Sequence, residues 1–212
     1  MSGVAVKFDF APVGAIEKKL SDGVFADVVI LSQAAIANLV KQHKLVAESV
    51  RVLGRTSIGV CIRQGMPQPD IATPEAFRSL LLLSPTIALS DVAVGGTAAR
   101  YLPQLFERLG LTAVLERKLI RCAGGGDVTQ RVVRGEAAIG ITFVSEMISA
   151  GGADIVGPLP EAYRNDTTYC VGVMTQTAQR TQAAALATLL QGPASEDVWA
   201  RAGFVRGAGV EP

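Results

Sequence analysis

The chain has 212 residues, 49% of them hydrophobic, with 20 Lys and Arg against 19 Asp and Glu for a formal net charge of +1. That apolar fraction suits one compact domain or a two-lobed unit and argues against a disordered chain, while interspersed charge of balanced sign offers no basic stripe to a nucleic acid backbone. Apolar stretches such as SLLLLSPTIALS reach about half of the roughly 20 residues a membrane helix needs, and MSGVAVKFDFAP lacks the zones of a secretory leader, so a cytosolic chain or one with its leader removed is expected.

Strand-like runs alternate with helical ones along the chain. VAVKFDF reads as a strand, VGAIEKKLSDG as a helix, ADVVIL (Ala26 to Leu31) as a strand, and SQAAIANLVKQHKL as a helix with Ile36, Leu39 and Val40 at helical spacing. Ser32 stands at that strand-to-helix junction, where a hydroxyl can cap the helix and also face the crevice above the strand ends. SIGVCIRQG is a β-branched run ended by Gly65, and the Pro-rich GMPQPDIATP is the linker expected to lead into a second lobe. Thr73 followed by Pro74 reads as an N-cap and first turn. TIALSD then leads through Gly95-Gly96-Thr97 into a helix expected over Thr97 to Leu109. RKLIRCAGGGDVTQRVVRGEAAIGITFVSEM supplies strand, glycine turn, helix and strand. TTYCVGVM is a long strand, and helical QTAQRTQAAALATLLQG and SEDVWARAGF close the chain. Strands separated by helices of about ten residues predict an α/β fold with a parallel or mixed sheet covered on both faces.

The stretch Val94 to Ala98 is the first candidate site. In an α/β sheet the loop after a strand lies over the carboxyl edge, and the free N–H groups of the next helix point into it, with the helix dipole favouring negative charge. Glycine lets a ligand approach the backbone without a Cβ in the way, and Thr97 adds a hydroxyl; a tight turn would use the same residues. No Lys follows at the spacing of a phosphate-binding P-loop. Arg100, one turn into the helix, either reaches a ligand carboxylate or faces solvent. Gly124 to Gly126 precede Asp127, read as the cap of the helix VTQRVVRG, and an acidic cap argues against anion binding there, so the loop reads as structural, with lining of the cleft as the alternative. His43 sits on a Lys-rich helix end and no G-x-S-x-G elbow occurs, so no nucleophilic triad is expected. Asp91, Asp127 and Glu146 are carboxylates whose spacing assigns them no common task. Cys61, Cys122 and Cys170 stand far apart with no metal-ligand spacing and read as small buried apolar side chains, with a Cys61 to Cys170 disulfide as the alternative. No metal site and no cofactor is expected.

FADVVILSQAAIANLVKQHKLV, IALSDVAVGGTAARYLPQLFERLG and RVVRGEAAIGITFVSEM together resemble the molybdate-binding branch of the type II periplasmic solute-binding proteins, over nearly the whole chain. The resemblance implies two α/β lobes, residues 1–62 with 172–212 and residues 63–171, joined by two crossover strands in SIGVCIRQG and TTYCVGVM. It implies an anion held in a cleft between the lobes by hydroxyls and helix amides. Position by position, the family's serine contact falls at Leu31 with Ser32 one place later, the amide contacts at Gly95 with Gly96 and Thr97 beside it, and at Thr142. The crossover tyrosine falls at Tyr169. Cys61 and Cys170 would lie on neighbouring hinge strands, where a disulfide is possible.

The implied function is capture of a small oxyanion or compact carboxylate for an ABC transporter membrane component, in the periplasm. Two alternatives stand beside it: an enzyme similar to aconitate isomerase, with Glu146 or Tyr169 as acid or base, and a cytosolic ligand-sensing domain. The family begins with a further strand and helix that this chain is expected to lack, which would open the first lobe's sheet; a truncated sequence, or a dimer formed by exchange of strands between two chains, would account for it.

Overall fold

The computed structural model describes residues 4–206. Its helices in chain order are α1 (Val13–Ser21), α2 (Gln33–Lys41), α3 (Pro74–Leu83), α4 (Thr97–Arg108), α5 (Thr112–Leu115), α6 (Gly125–Val133), α7 (Val144–Ala150), α8 (Arg180–Gln191) and α9 (Glu196–Arg201). Its strands are β1 (Val28–Ser32), β2 (Arg51–Arg63), β3 (Ile87–Ser90), β4 (Leu119–Cys122), β5 (Ile139–Phe143), β6 (Ala153–Pro158) and β7 (Asp166–Val173). No described helix is long and apolar enough to cross a membrane.

The chain divides into two compact units: residues 1–55 with 167–212, and residues 56–166. The division falls within β2 and at the start of β7, so the Pro-rich segment expected as a linker lies inside unit 2. There it leads into α3, whose Thr73 side chain accepts from the Ala76 amide at 3.1 Å. Pro74 occupies the first turn, where its missing N–H costs nothing.

In unit 1, β1 pairs antiparallel with β7, from Val28 opposite Val173 to Ser32 opposite Tyr169, and β7 neighbours β2 in strand order. One apolar cluster joins Val29 and Leu31 to Ile36, Leu39 and Leu45, and another joins Leu53, Val171 and Val173 to Ala183 and Ala187 of α8. The alternation in β1, buried at Val29 and Leu31 and half-buried between, is the period of a strand covered more heavily on one face. VAVKFDF differs from its expected strand. Residues 4–10 are in no described ladder, and Val4, Val6, Phe8 and Phe10 are exposed. Period-2 alternation supplies an apolar face, but a strand also needs a partner for its N–H and C=O groups.

In unit 2, β3 lies between β4 and β5 and is parallel to both. β2 pairs antiparallel with β5 and with β6. Alternate residues of β3 serve opposite faces. Ile87 and Leu89 join the larger core with Phe77, Leu81, Leu102, Leu105 and Leu115, whereas Ala88 joins the cluster of Val128, Val132 and Met147. Helices thus cover both faces of the strands, as near-continuous apolar strands require, and β5, IGITF, is buried at every position.

The three cysteines are buried free thiols, so the Cys61 to Cys170 disulfide is not formed. Cys61 lies in unit 2 opposite Gly140 and Cys170 in unit 1 opposite Leu31. Burial pushes the Cys61 thiol up to about 11. Burial, and after it the nearby Asp127 charge, lifts Cys122 to about 11 as well.

Candidate functional site

Because β3, β4 and β5 run parallel, their carboxyl ends lie on one edge of unit 2, the edge where open α/β sheets bind ligands. The loop after β3 is built by its own side chains. The Asp91 carboxylate accepts from the Ala93 amide at 2.9 Å and starts a short 3₁₀ turn, Val92–Val94, while the Asp91 amide donates to the Cys122 carbonyl at 2.8 Å. Asp91 therefore caps this turn with its side chain and ties the loop to the end of β4 with its amide.

Gly95 then reverses the chain with φ 71°, a left-handed conformation that L side chains adopt at a cost. Gly96 follows as the N-cap of α4 in extended conformation, with no side chain accepting from the first-turn amides. Those donors sit at the positive end of a 12-residue helix. Arg100 settles between its two readings in a third way: although exposed, its guanidinium turns back and donates to the Gly95 carbonyl at 2.6 Å. It braces the turn and leaves a positive group beside it. Ala98, Ala99, Leu102, Leu105 and Phe106 anchor the helix in the core, so the donors at its start have a rigid support.

The loop after β4 is organised differently from the sequence expectation. Helix α6 begins at Gly125 with Gly124 as N-cap, so Asp127 lies inside the first turn. Its carboxylate reaches back to the Ala123 amide at 3.1 Å and forms an ion pair with Arg131 at 3.4 Å. Gly125 is buried, and a Cβ there would overlap the Glu146 carboxylate and the Thr142 hydroxyl. The Thr142 hydroxyl donates to Glu146 Oε2, and the Phe143 amide donates to the same oxygen at 3.3 Å, capping α7. A carboxylate of the chain itself therefore sits against the start of α6, where helix termini favour negative charge.

The predicted site residues fall in both units. Gly95, Gly96, Thr97 and Thr142 share the carboxyl edge of unit 2, but Thr142 is fully buried with its hydroxyl committed to Glu146. Ser32 and Tyr169 belong to unit 1 and face each other across the β1 and β7 register. Ser32 Oγ accepts from the Ala35 amide at 3.4 Å as the cap of α2, and the Tyr169 ring meets Phe204 edge-on at 5.7 Å. Leu31 is wholly buried in the apolar core. Ser90, 6% exposed at the end of β3, is a further buried hydroxyl on this edge that sequence reasoning did not select. His43 takes φ 55° just after α2, a turn role on the surface. Among the described residues no group of three or more His, Cys, Asp or Glu side chains is placed to hold a metal ion.

Comparison with known proteins agrees with this architecture. The family model for bacterial extracellular solute-binding protein matches residues 1–205. Aconitate isomerase of a Pseudomonas species is 34% identical over 198 residues, covering 93% of this chain and 72% of that protein. The molybdate-binding protein ModA of Escherichia coli K12 is 23% identical over 204 residues, covering 95% and 79%. The periplasmic molybdate-binding protein of Azotobacter vinelandii superposes with a TM-score of 0.78 at 17% identity, covering 98% of this chain and 90% of that one, which shows the fold. On the extent of the family match and the identity to its nearer relative, the chain belongs to the bacterial extracellular solute-binding protein family.

Proposed function

We propose that this chain binds a small anion, an oxyanion or compact carboxylate, through the Gly95-Gly96-Thr97 turn, and delivers it to an ABC transporter membrane component. The observation that carries the reading is the uncapped start of α4: amide donors at the positive end of a well-anchored helix, reached over a glycine and braced by Arg100. Desolvated backbone donors need little reorganisation to hold an anion, and hydrogen bonds to a charged group are worth about 1.5–3 kcal/mol each. Ser32 and Tyr169 stay proposed contacts on the family resemblance alone. The reading is tested by thermal shift with molybdate, sulfate, phosphate, malate, citrate and aconitate. A ligand present at 100 times its Kd adds about 2.7 kcal/mol of stability, and no shift with any of the six would overturn the reading.

A second reading, isomerisation of aconitate, is favoured by the 34% identity to aconitate isomerase and by a carboxylate at the same strand edge. Glu146 would serve as the proton acceptor and donor. Incubation with trans-aconitate followed by proton NMR separates the two: conversion to the cis isomer supports the enzyme, and an unchanged spectrum with a thermal shift supports the binding protein.

A further inference from the structure

Helices α4, α6 and α7 start on the carboxyl edge of unit 2, and the chain treats the first two oppositely. The α4 start has a glycine cap and no side chain over its amides. The α6 start also has a glycine cap, but the Glu146 carboxylate lies directly against Gly125, so close that a methyl group cannot be fitted between them. Glu146 is held there by the Thr142 hydroxyl and the Phe143 amide. Both bonds fall on Oε2, leaving Oε1 outside them, and the residue is half-buried, not sealed in the core. Thr142 is 0% exposed and spends its only proton on this bond.

Resting on the anion-binding reading above, we propose that Glu146 determines specificity by demanding that the bound anion carry a hydrogen-bond donor of its own. A fixed carboxylate on the strand edge repels a ligand whose every polar atom is an acceptor, because like charges brought together out of water are penalised and neither can donate to the other. A ligand that presents a hydroxyl or an acid proton converts that repulsion into a charge-assisted hydrogen bond. The ligand class is therefore a hydroxycarboxylate or a protonated oxyanion. Fully deprotonated sulfate and molybdate are disfavoured. A polar group left unmatched when a ligand covers it discriminates more strongly than a methylene's difference in fit.

The test is isothermal titration calorimetry with two matched pairs, malate against succinate and hydrogen phosphate against sulfate, on wild type and Glu146→Gln at pH 7.5. Each pair differs in the presence of a donor. In wild type, at least one donor-bearing member binds ten-fold or more tighter than its match. In Glu146→Gln, whose amide can both donate and accept, that ratio falls at least three-fold, chiefly through tighter succinate or sulfate binding. Equal binding within both pairs in wild type overturns the proposal, as does a wild-type preference that Glu146→Gln leaves intact. The wild-type ratios stand as a test even if the variant does not fold. If none of the four binds, the proposal falls; a thermal shift from molybdate, citrate or aconitate would then show that the anion-binding reading survives without it.

Discussion

Three consecutive glycines, Gly124, Gly125 and Gly126, look alike in sequence, yet the structure predicts opposite outcomes for alanine at the last two. A Cβ at Gly126 meets nothing within 4 Å and the residue is exposed in the first turn of α6. Gly126→Ala should therefore stabilise by about 0.5–1 kcal/mol, by restricting the unfolded chain. At Gly125 the new methyl group would displace the Glu146 carboxylate and the Thr142 hydroxyl. Overpacking costs about 1–3 kcal/mol, and loss of the hydrogen bond from the Phe143 amide adds about 1 kcal/mol. The sum, about 3 kcal/mol, corresponds to a fall in Tm of about 6–12 °C for a chain of this size. Differential scanning calorimetry of the two variants measures this, and repeating Gly125→Ala in a Glu146→Ala background isolates the clash. There the cost of the methyl group should fall by at least about 1 kcal/mol, because the carboxylate it strikes is gone and only the contact with the Thr142 hydroxyl remains. A Gly125→Ala protein within 0.5 kcal/mol of wild type, or an unchanged cost in the Glu146→Ala background, would refute the placement of Glu146 against α6.

Gly95→Ala forces an L side chain into φ 71° and should cost about 1–2 kcal/mol, measured by urea denaturation; a neutral result would contradict the left-handed turn. The thiols make a pH prediction. Cys61 and Cys122 are each lifted from 9.0 to about 11 in the folded chain, so the native state holds protons that the unfolded state releases. Stability from this source is complete below pH 9 and is lost as pH rises towards 11. Urea midpoints between pH 8 and 11 should fall accordingly, and Cys61→Ala with Cys122→Ala should flatten the decline. A thiol reagent at pH 8 should label all three cysteines only after unfolding, and rapid labelling of the native protein would contradict their burial.

Much of the fold is legible in the sequence because its signals are local. The Thr73 cap with Pro74, the junction at Ser32 and the amphipathic helix beginning at Thr97 each depend on neighbouring residues, and each appears where those residues place it. VAVKFDF has the period of a strand, but pairing depends on a neighbour that periodicity cannot supply. Asp127 was expected to cap from outside α6 and instead reaches back from within it, because Gly124 and Gly125 can start the helix three residues earlier. Of the candidate site, the glycine turn was legible. The bond from Arg100 to Gly95 and the seat of Glu146 on Gly125 were not, since the second joins residues 21 positions apart that meet only when β4, β3 and β5 align. The one local trace is the four-residue spacing of Thr142 and Glu146 across the start of α7.

The central claim, that the start of α4 holds the anion, is tested most directly by calorimetric titration of wild type and Gly96→Val with the six-anion panel. At Gly96 the backbone has φ −73°, and a Cβ meets only the Ala99 methyl group at 4.0 Å. The variant should therefore fold, with about 1 kcal/mol lost from the weaker N-cap, while its side chain covers the amides a ligand would use. The account predicts that a ligand bound by wild type binds Gly96→Val at least ten-fold more weakly, and equal affinity for the two proteins would contradict it.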